Sequence, residues 1–153
     1  MAAREQIRAR SGHVFVESDG RSVAEVSLHP GLGPDRGDGP LAADLRRYLA
    51  GEAVDFSKYT VDLAVYTPFE RAVLRAARAI PYGETRTYGD IAKAIGRPDA
   101  ARAVGQALGK NRTCIVIPCH RVVAANGLGG FTGGLRWKKE LLALEHILPV
   151  SEP

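Results

Sequence analysis

The first third of the chain alternates. "EQIRAR", "HVFVES" and "SVAEVSLH" carry an apolar residue at every second position or nearly so, with "SG" and "SDGR" between them. Period two gathers apolar side chains on one face of a strand, and an Asp-Gly step favours a tight reversal. A three-stranded antiparallel meander is predicted. A Gly- and Pro-rich run at 30–39 predicts a mobile loop. "PLAADLRRYLAGE" predicts a short helix, with Pro40 in its first turn and Gly51 at its end. Residues 52–67 show no period and read as a linker with room for one short strand.

From Thr67 the period lengthens. "TPFERAVLRAARAI" opens with a cap residue and a first-turn proline, and Phe69, Val73, Leu74, Ala77 and Ile80 keep one helical face. "TYGDIAKAIGRPDAARAVGQALGKN" predicts two short helices. Ile91, Ala92 and Ile95 mark the first and "GRP" the break. Asp99 sits at the cap of the second, and Ala103, Val104, Ala107 and Leu108 form its stripe before Gly109. Two short helices joined by a Gly-containing turn are a helix-turn-helix pattern. "CIVIP" reads as a short apolar strand with "RVVAANG" pairing back near it, "NGLGGFTGG" as a Gly-rich loop, and "LRWKKELLALEHIL" as a closing amphipathic helix. The fold class is α+β. Residues 1–60 form a small antiparallel sheet with a helix, 61–66 a linker, and 67–153 a winged-helix-like domain holding the helix-turn-helix.

Composition narrows the picture little. Apolar residues make up 45% and charged residues 25%, ordinary values for a globular chain. No apolar run reaches the roughly 18 residues of a membrane span. "MAAREQIRAR" lacks the apolar stretch of a secretory signal, so a cytoplasmic protein is expected. The net charge of +4 permits a polyanionic partner without requiring one. There are two cysteines, Cys114 and Cys119, and no CxxC pair or second Cys/His group, so neither a metal nor another cofactor is expected. On a strand their odd separation would turn the thiols to opposite faces, which disfavours a disulfide and fits a reducing compartment.

The chemistry concentrates in "IVIPCHRVV". A cysteine in apolar sequence is ordinarily a small core residue. Here Pro118 interrupts the run just before Cys119, and His120 and Arg121 follow. A nearby imidazole or cation lowers a thiol pKa, and the thiolate is the nucleophile. A third group is needed to orient the histidine, and Glu145 in "LLALEHIL" is the candidate, since a carboxylate on an apolar face is costly unless paired. A surface carboxylate at a helix end is the alternative. In the second short helix, Ala101 and Gly105 permit close approach to DNA, and Arg102, Lys110 and Arg121 offer cations to phosphates. The plain alternative is a packed helix pair with solvated arginines.

Together these residues carry a pattern. "IPCHRVV", the Gly-rich loop and "LLALE", in that order after "IPYGETRTYGDIAKAIGRPDAARAVGQALGKN", resemble the O6-alkylguanine-DNA alkyltransferases from about Thr67 to Glu145. The resemblance implies a single-use repair protein. The thiolate of Cys119 takes the alkyl group from O6 of guanine in double-stranded DNA. A relay of Glu145, His120 and a water makes that thiolate, and Asn111 braces the active-site turn. Tyr88 donates to guanine N3, and Arg102 enters the duplex where the flipped nucleotide was. Phe131 and Thr132 close over the base, while the carbonyls of Cys119 and Val122 accept from its amine. It also implies a monomer, with cooperativity on DNA left open. The N-terminal half has only His13 and His29 and no cysteine, unlike family members that bind zinc there. Two rivals stand beside this reading: a non-catalytic DNA-binding module and a small-molecule thiol hydrolase.

Overall fold

The computed structural model describes residues 2–148. The meander forms as the alternation predicts: β1 (Ala3–Ala9), β2 (Gly12–Asp19) and β3 (Ser22–His29), all antiparallel. Ile7, Val14, Val16, Val23, Val26 and Leu28 fill the inner face. A two-residue strand within the expected linker, β4 (Thr60–Val61), adds in parallel beside β3. Helix α1 (Pro40–Leu49) covers the sheet through Leu41, Ala42, Leu45 and Tyr48.

The Gly/Pro-rich run is tied down rather than mobile. Arg36 exchanges two backbone hydrogen bonds with Gln6 of β1, at 3.0 and 2.8 Å. The Gly39 N–H donates to the Glu5 carboxylate at 2.8 Å, and Asp35 receives both Arg8 N–H and the Arg46 guanidinium. Polar groups that the run cannot satisfy on itself are met by β1 and α1.

Three helices follow. α2 (Pro68–Arg78) starts with a reciprocal capping box between Thr67 and Glu70. α3 (Tyr88–Ala94) starts with another, between Thr87 and Asp90. α4 (Ala101–Leu108) begins one residue later than expected: Ala100, not Asp99, is the cap position, with no side-chain bond. α3 and α4 form the helix-turn-helix. A short parallel ribbon joins β5 (Arg86–Thr87) to β6 (Val122–Val123), so "RVVAANG" pairs with the residues before α3 and not with "CIVIP". α5 (Leu135–Leu144) closes the chain, burying Trp137, Leu141 and Leu142. Trp137 Nε1 donates to the His29 carbonyl at 3.1 Å, which pins α5 to the end of β3.

One hydrophobic cluster runs through both halves. The link is backbone as well as side chain: Val26 N–H donates to the Arg112 carbonyl at 2.9 Å, and Cys114 N–H to the Val26 carbonyl at 3.0 Å. The segment leading to Cys119 is therefore docked on β3.

Candidate active site

Asn111 shapes the turn that carries the cysteine. It follows α4 and is buried. Its Nδ2 donates to the Ile117 carbonyl at 3.0 Å, and its Oδ1 accepts from the Thr113 amide and hydroxyl at 3.0 and 3.1 Å. Between these anchors the chain doubles back. Ile117 N–H reaches the Thr113 carbonyl at 2.9 Å, and Cys119 N–H reaches the Ile117 carbonyl at 2.8 Å. Ile115 has φ 73°, a region that costs an L-residue about 1–2 kcal/mol. "CIVIP" is thus a set of tight turns and not the expected strand. Apolarity alone could not separate the two, because both bury every side chain. Cys119 lies on a one-turn 3-10 helix, Cys119–Arg121, below α4.

This geometry corrects a second expectation. The thiols do not face apart: the Cys114 side chain acts directly on that of Cys119, and both are free and buried. That contact holds the Cys119 pKa below its ordinary value. Burial opposes it, while Asn111 and the Lys138 charge assist. The same contact pushes the Cys114 thiol well up, so Cys114 stays protonated as the donor.

Glu145, the cap residue ending α5, is 2% exposed and accepts five hydrogen bonds. Oε1 receives the Gly83 amide at 3.0 Å and Arg121 Nε at 2.8 Å. Oε2 receives His120 Nε2 at 2.7 Å, Arg121 Nη2 at 3.1 Å and the Tyr48 hydroxyl at 2.5 Å. Gly83 delivers its amide from a turn at φ 81°, a conformation that suits glycine. Burial pushes the Glu145 carboxyl up, but the donors outweigh it and hold the pKa at about 2. The group is a carboxylate at any physiological pH.

The tautomer of His120 follows. An ionised carboxylate only accepts, so Nε2 must carry the proton that it donates. Burial lowers the His120 pKa, which keeps the ring neutral, and its base is then Nδ1. Nδ1 is buried with no protein hydrogen-bond partner.

Arg121 is a correction. The sequence offered it to DNA phosphates, but it is 8% exposed, forked onto Glu145, and donates Nη1 to the Ile80 carbonyl at 2.8 Å. A cation whose donors are spent inside is no phosphate contact. Lys110 is exposed beyond α4 and paired with Glu70 at 2.8 Å. Arg102 is exposed on α4, with Ala101 and Gly105 half-buried on the same helix.

A hollow of about 450 Å³ opens between α4 and the Gly-rich loop. Tyr88, Arg102, Gly105, Cys119, Phe131 and Thr132 are among its lining residues. Tyr88 is the first residue of α3, placed by the Thr87 cap and the β5–β6 ribbon. Its hydroxyl reaches the Gly130 carbonyl at 3.4 Å. Thr132 Oγ1 ties the loop to α4 through the Gly109 carbonyl at 2.9 Å. The Val122 carbonyl accepts from Lys138 Nζ at 2.8 Å.

Sequence reasoning missed Lys138, Tyr48 and the role of Cys114. Lys138 is fully buried, donates also to the Gly130 carbonyl at 2.9 Å, and has its pKa lowered by burial to about 8. In "RWKKE" it is one of two adjacent lysines. The signal was its helical spacing, one position after Trp137 and three before Leu141. Tyr48 lies 97 residues before Glu145, and no local pattern joins them. Among the described residues no cluster of three or more His, Cys, Asp or Glu side chains could hold a metal ion.

Comparison with known proteins agrees in sequence and fold. Residues 68–147 match the family model of the 6-O-methylguanine DNA methyltransferase DNA-binding domain. A methylated-DNA–protein-cysteine methyltransferase of Methanopyrus kandleri is 49% identical over 133 residues, covering 83% of this chain and 98% of that protein. The crystal structure of Mycobacterium tuberculosis O6-methylguanine methyltransferase superposes with a TM-score of 0.78 at 35% identity, covering 99% of this chain and 97% of that one. A structure of the Mycobacterium tuberculosis protein in complex with DNA gives 0.80 at 38% identity, covering 94% and 92%. With half its length matched by the family model and a near full-length relative at this identity, the chain belongs to the methylated-DNA–protein-cysteine methyltransferase family.

Proposed function

We propose that Cys119 is the sulfur that receives the alkyl group when this protein restores O6-alkylguanine in double-stranded DNA. The observation that carries the assignment is the pairing of an acceptor nitrogen with a primed thiol. His120 presents Nδ1 as its free base because Glu145 occupies Nε2, and the next residue back is a cysteine of lowered pKa at a base-sized hollow.

The sequence of events follows from these groups. The guanine is extruded from the stack into the hollow, since its O6 substituent is out of reach inside the duplex. Arg102, exposed at the rim on α4, fills the place it leaves. The Cys119 proton passes through a water to His120 Nδ1. The thiolate attacks the alkyl carbon, a C–S bond forms, and the C–O6 bond breaks with its electrons left on guanine. Tyr88 donates to N3 and lowers the charge that the leaving purine must hold. The carbonyls of Cys119 and Val122 accept from the exocyclic amine, and Phe131 and Thr132 cover the base. No cofactor enters these steps. Among the described residues no helix is long and apolar enough to cross a membrane. A nucleophile kept as a free thiol suits the reducing cytoplasm, where we place the protein.

The test is intact mass after incubation with a duplex carrying O6-methylguanine. One methyl group is gained by the wild type and none by Cys119→Ser. Binding without mass gain would favour a lesion sensor. Arg102→Ala should slow repair of the duplex more than reaction with free O6-benzylguanine, and equal slowing would remove Arg102 from extrusion.

A further inference from the structure

The N-terminal half does more than support the site. Tyr48 lies on α1, in the sheet-and-helix layer, yet its hydroxyl sits between the two residues that prepare the base. It donates to Glu145 Oε2 at 2.5 Å and lies 3.2 Å from His120 Nε2, which shares the same carboxylate oxygen. The ring is 1% exposed and stacks edge-on with Phe56, Tyr82 and His120. Packing of this kind fixes the hydroxyl, and nothing in general protein stability requires it to point at a carboxylate already holding four other donors.

We propose that Tyr48 is a positioning residue of alkyl transfer, setting the orientation and basicity of His120 by competing with it for Glu145. The proposal rests on the Glu145–His120–Cys119 relay assigned above. The charge on Oε2 is divided among three donors, Arg121 Nη2 at 3.1 Å besides His120 and Tyr48. Each unit of density drawn by the phenol is unavailable to stabilise a protonated His120. Tyr48 therefore keeps the imidazole neutral to lower pH than Glu145 alone would allow, and a neutral ring is the form whose Nδ1 accepts a proton. The groups facing His120 are few. Glu145 favours its charged form, whereas Arg121, Lys138 and burial disfavour it. Burial and the Glu145 charge push the Tyr48 phenol well above its ordinary pKa, so it is a donor throughout.

The experiment follows the rate of Cys119 alkylation by free O6-benzylguanine between pH 5 and 9, read by intact mass. Tyr48→Phe keeps the ring and removes the donor. The rising limb of the rate profile should move to higher pH, with about a tenfold loss at the acid end for a shift of about one unit. Replacing Tyr48 by 3-fluorotyrosine preserves the fold and makes a stronger donor, so the limb should move the other way. An unmoved limb in either protein overturns the proposal. So does uniform slowing at all pH values with a lowered Tm, which is what lost packing alone would give. Glu145→Gln in the same assay separates this proposal from the relay beneath it. If that variant reacts at the wild-type rate, the relay itself is wrong. If it is slow while the Tyr48 variants keep the wild-type limb, only the role of Tyr48 fails.

Discussion

Replacing Glu145 by Gln removes one negative charge, and little volume, from a carboxylate that accepts five hydrogen bonds. Its magnitude can be worked in two ways. The carboxyl titrates near 2 in the fold against 4.5 in an unfolded chain, and at 1.36 kcal/mol per unit this is roughly 3 kcal/mol. Breaking a buried ion pair from one side costs about 3–5 kcal/mol, because Arg121 keeps its charge with no counterpart. The two agree. The sign is set by linkage: a depressed folded pKa gives stability that is full above about 4.5 and lost as pH falls toward about 2. Urea unfolding should therefore place Glu145→Gln about 3–5 kcal/mol below the wild type at pH 7. The gap should narrow by about 2 kcal/mol by pH 3. Adding Arg121→Met should recover most of the loss at pH 7, since the stranded cation is then gone. A gap under about 1 kcal/mol, or one that does not change with pH, would mean that Glu145 is not the buried carboxylate described.

Three further outcomes are expected. Cys114→Ala removes the thiol donor to Cys119, so the pH midpoint for Cys119 alkylation by iodoacetamide should rise, and an unchanged midpoint would discount the sulfur pair. Gly129→Ala would set a Cβ 2.3 Å from the Tyr88 hydroxyl at a backbone φ of 73°; transfer to Cys119 should fall by about a hundredfold if Tyr88 supplies acid catalysis. A variant that reacts normally would release Tyr88 from that role. Lys138 has its pKa depressed from 10.5 to about 8, so the unfolded chain binds more protons between those values and wild-type stability should rise there with pH. Lys138→Met should lack that rise, about 2 kcal/mol by urea unfolding between pH 7.5 and 10, and an identical slope would show the ammonium to be solvated.

Much of the fold could be read because local pattern and local structure coincide. The meander followed from period two, and α2 from Thr67, Pro68 and one apolar face. The helix-turn-helix followed from two stripes around "GRP". What failed was decided by distant partners. Residues 114–118 share their composition with a strand, and Asn111 and the carbonyl and amide of Val26 anchor the ends of the turns they form. Arg121 looked available to DNA because its acceptors lie 24 and 41 residues away, on Glu145 and Ile80. The site divides in the same way. Cys119, His120 and Glu145 could be proposed from neighbours and motif order. Tyr48 reaches the site through the third dimension alone, and Lys138 left only the trace of its helical spacing.

Cys119 is 5% exposed, walled by its own turn, α4 and the Gly-rich loop. In the proposed transfer its sulfur becomes a thioether, which has no proton for the imidazole to take and no charge for the lysine to favour. The groups that made it reactive have nothing left to act on. Repair capacity is therefore an inventory: each chain is spent on one lesion, and protection lasts only as long as synthesis outruns damage.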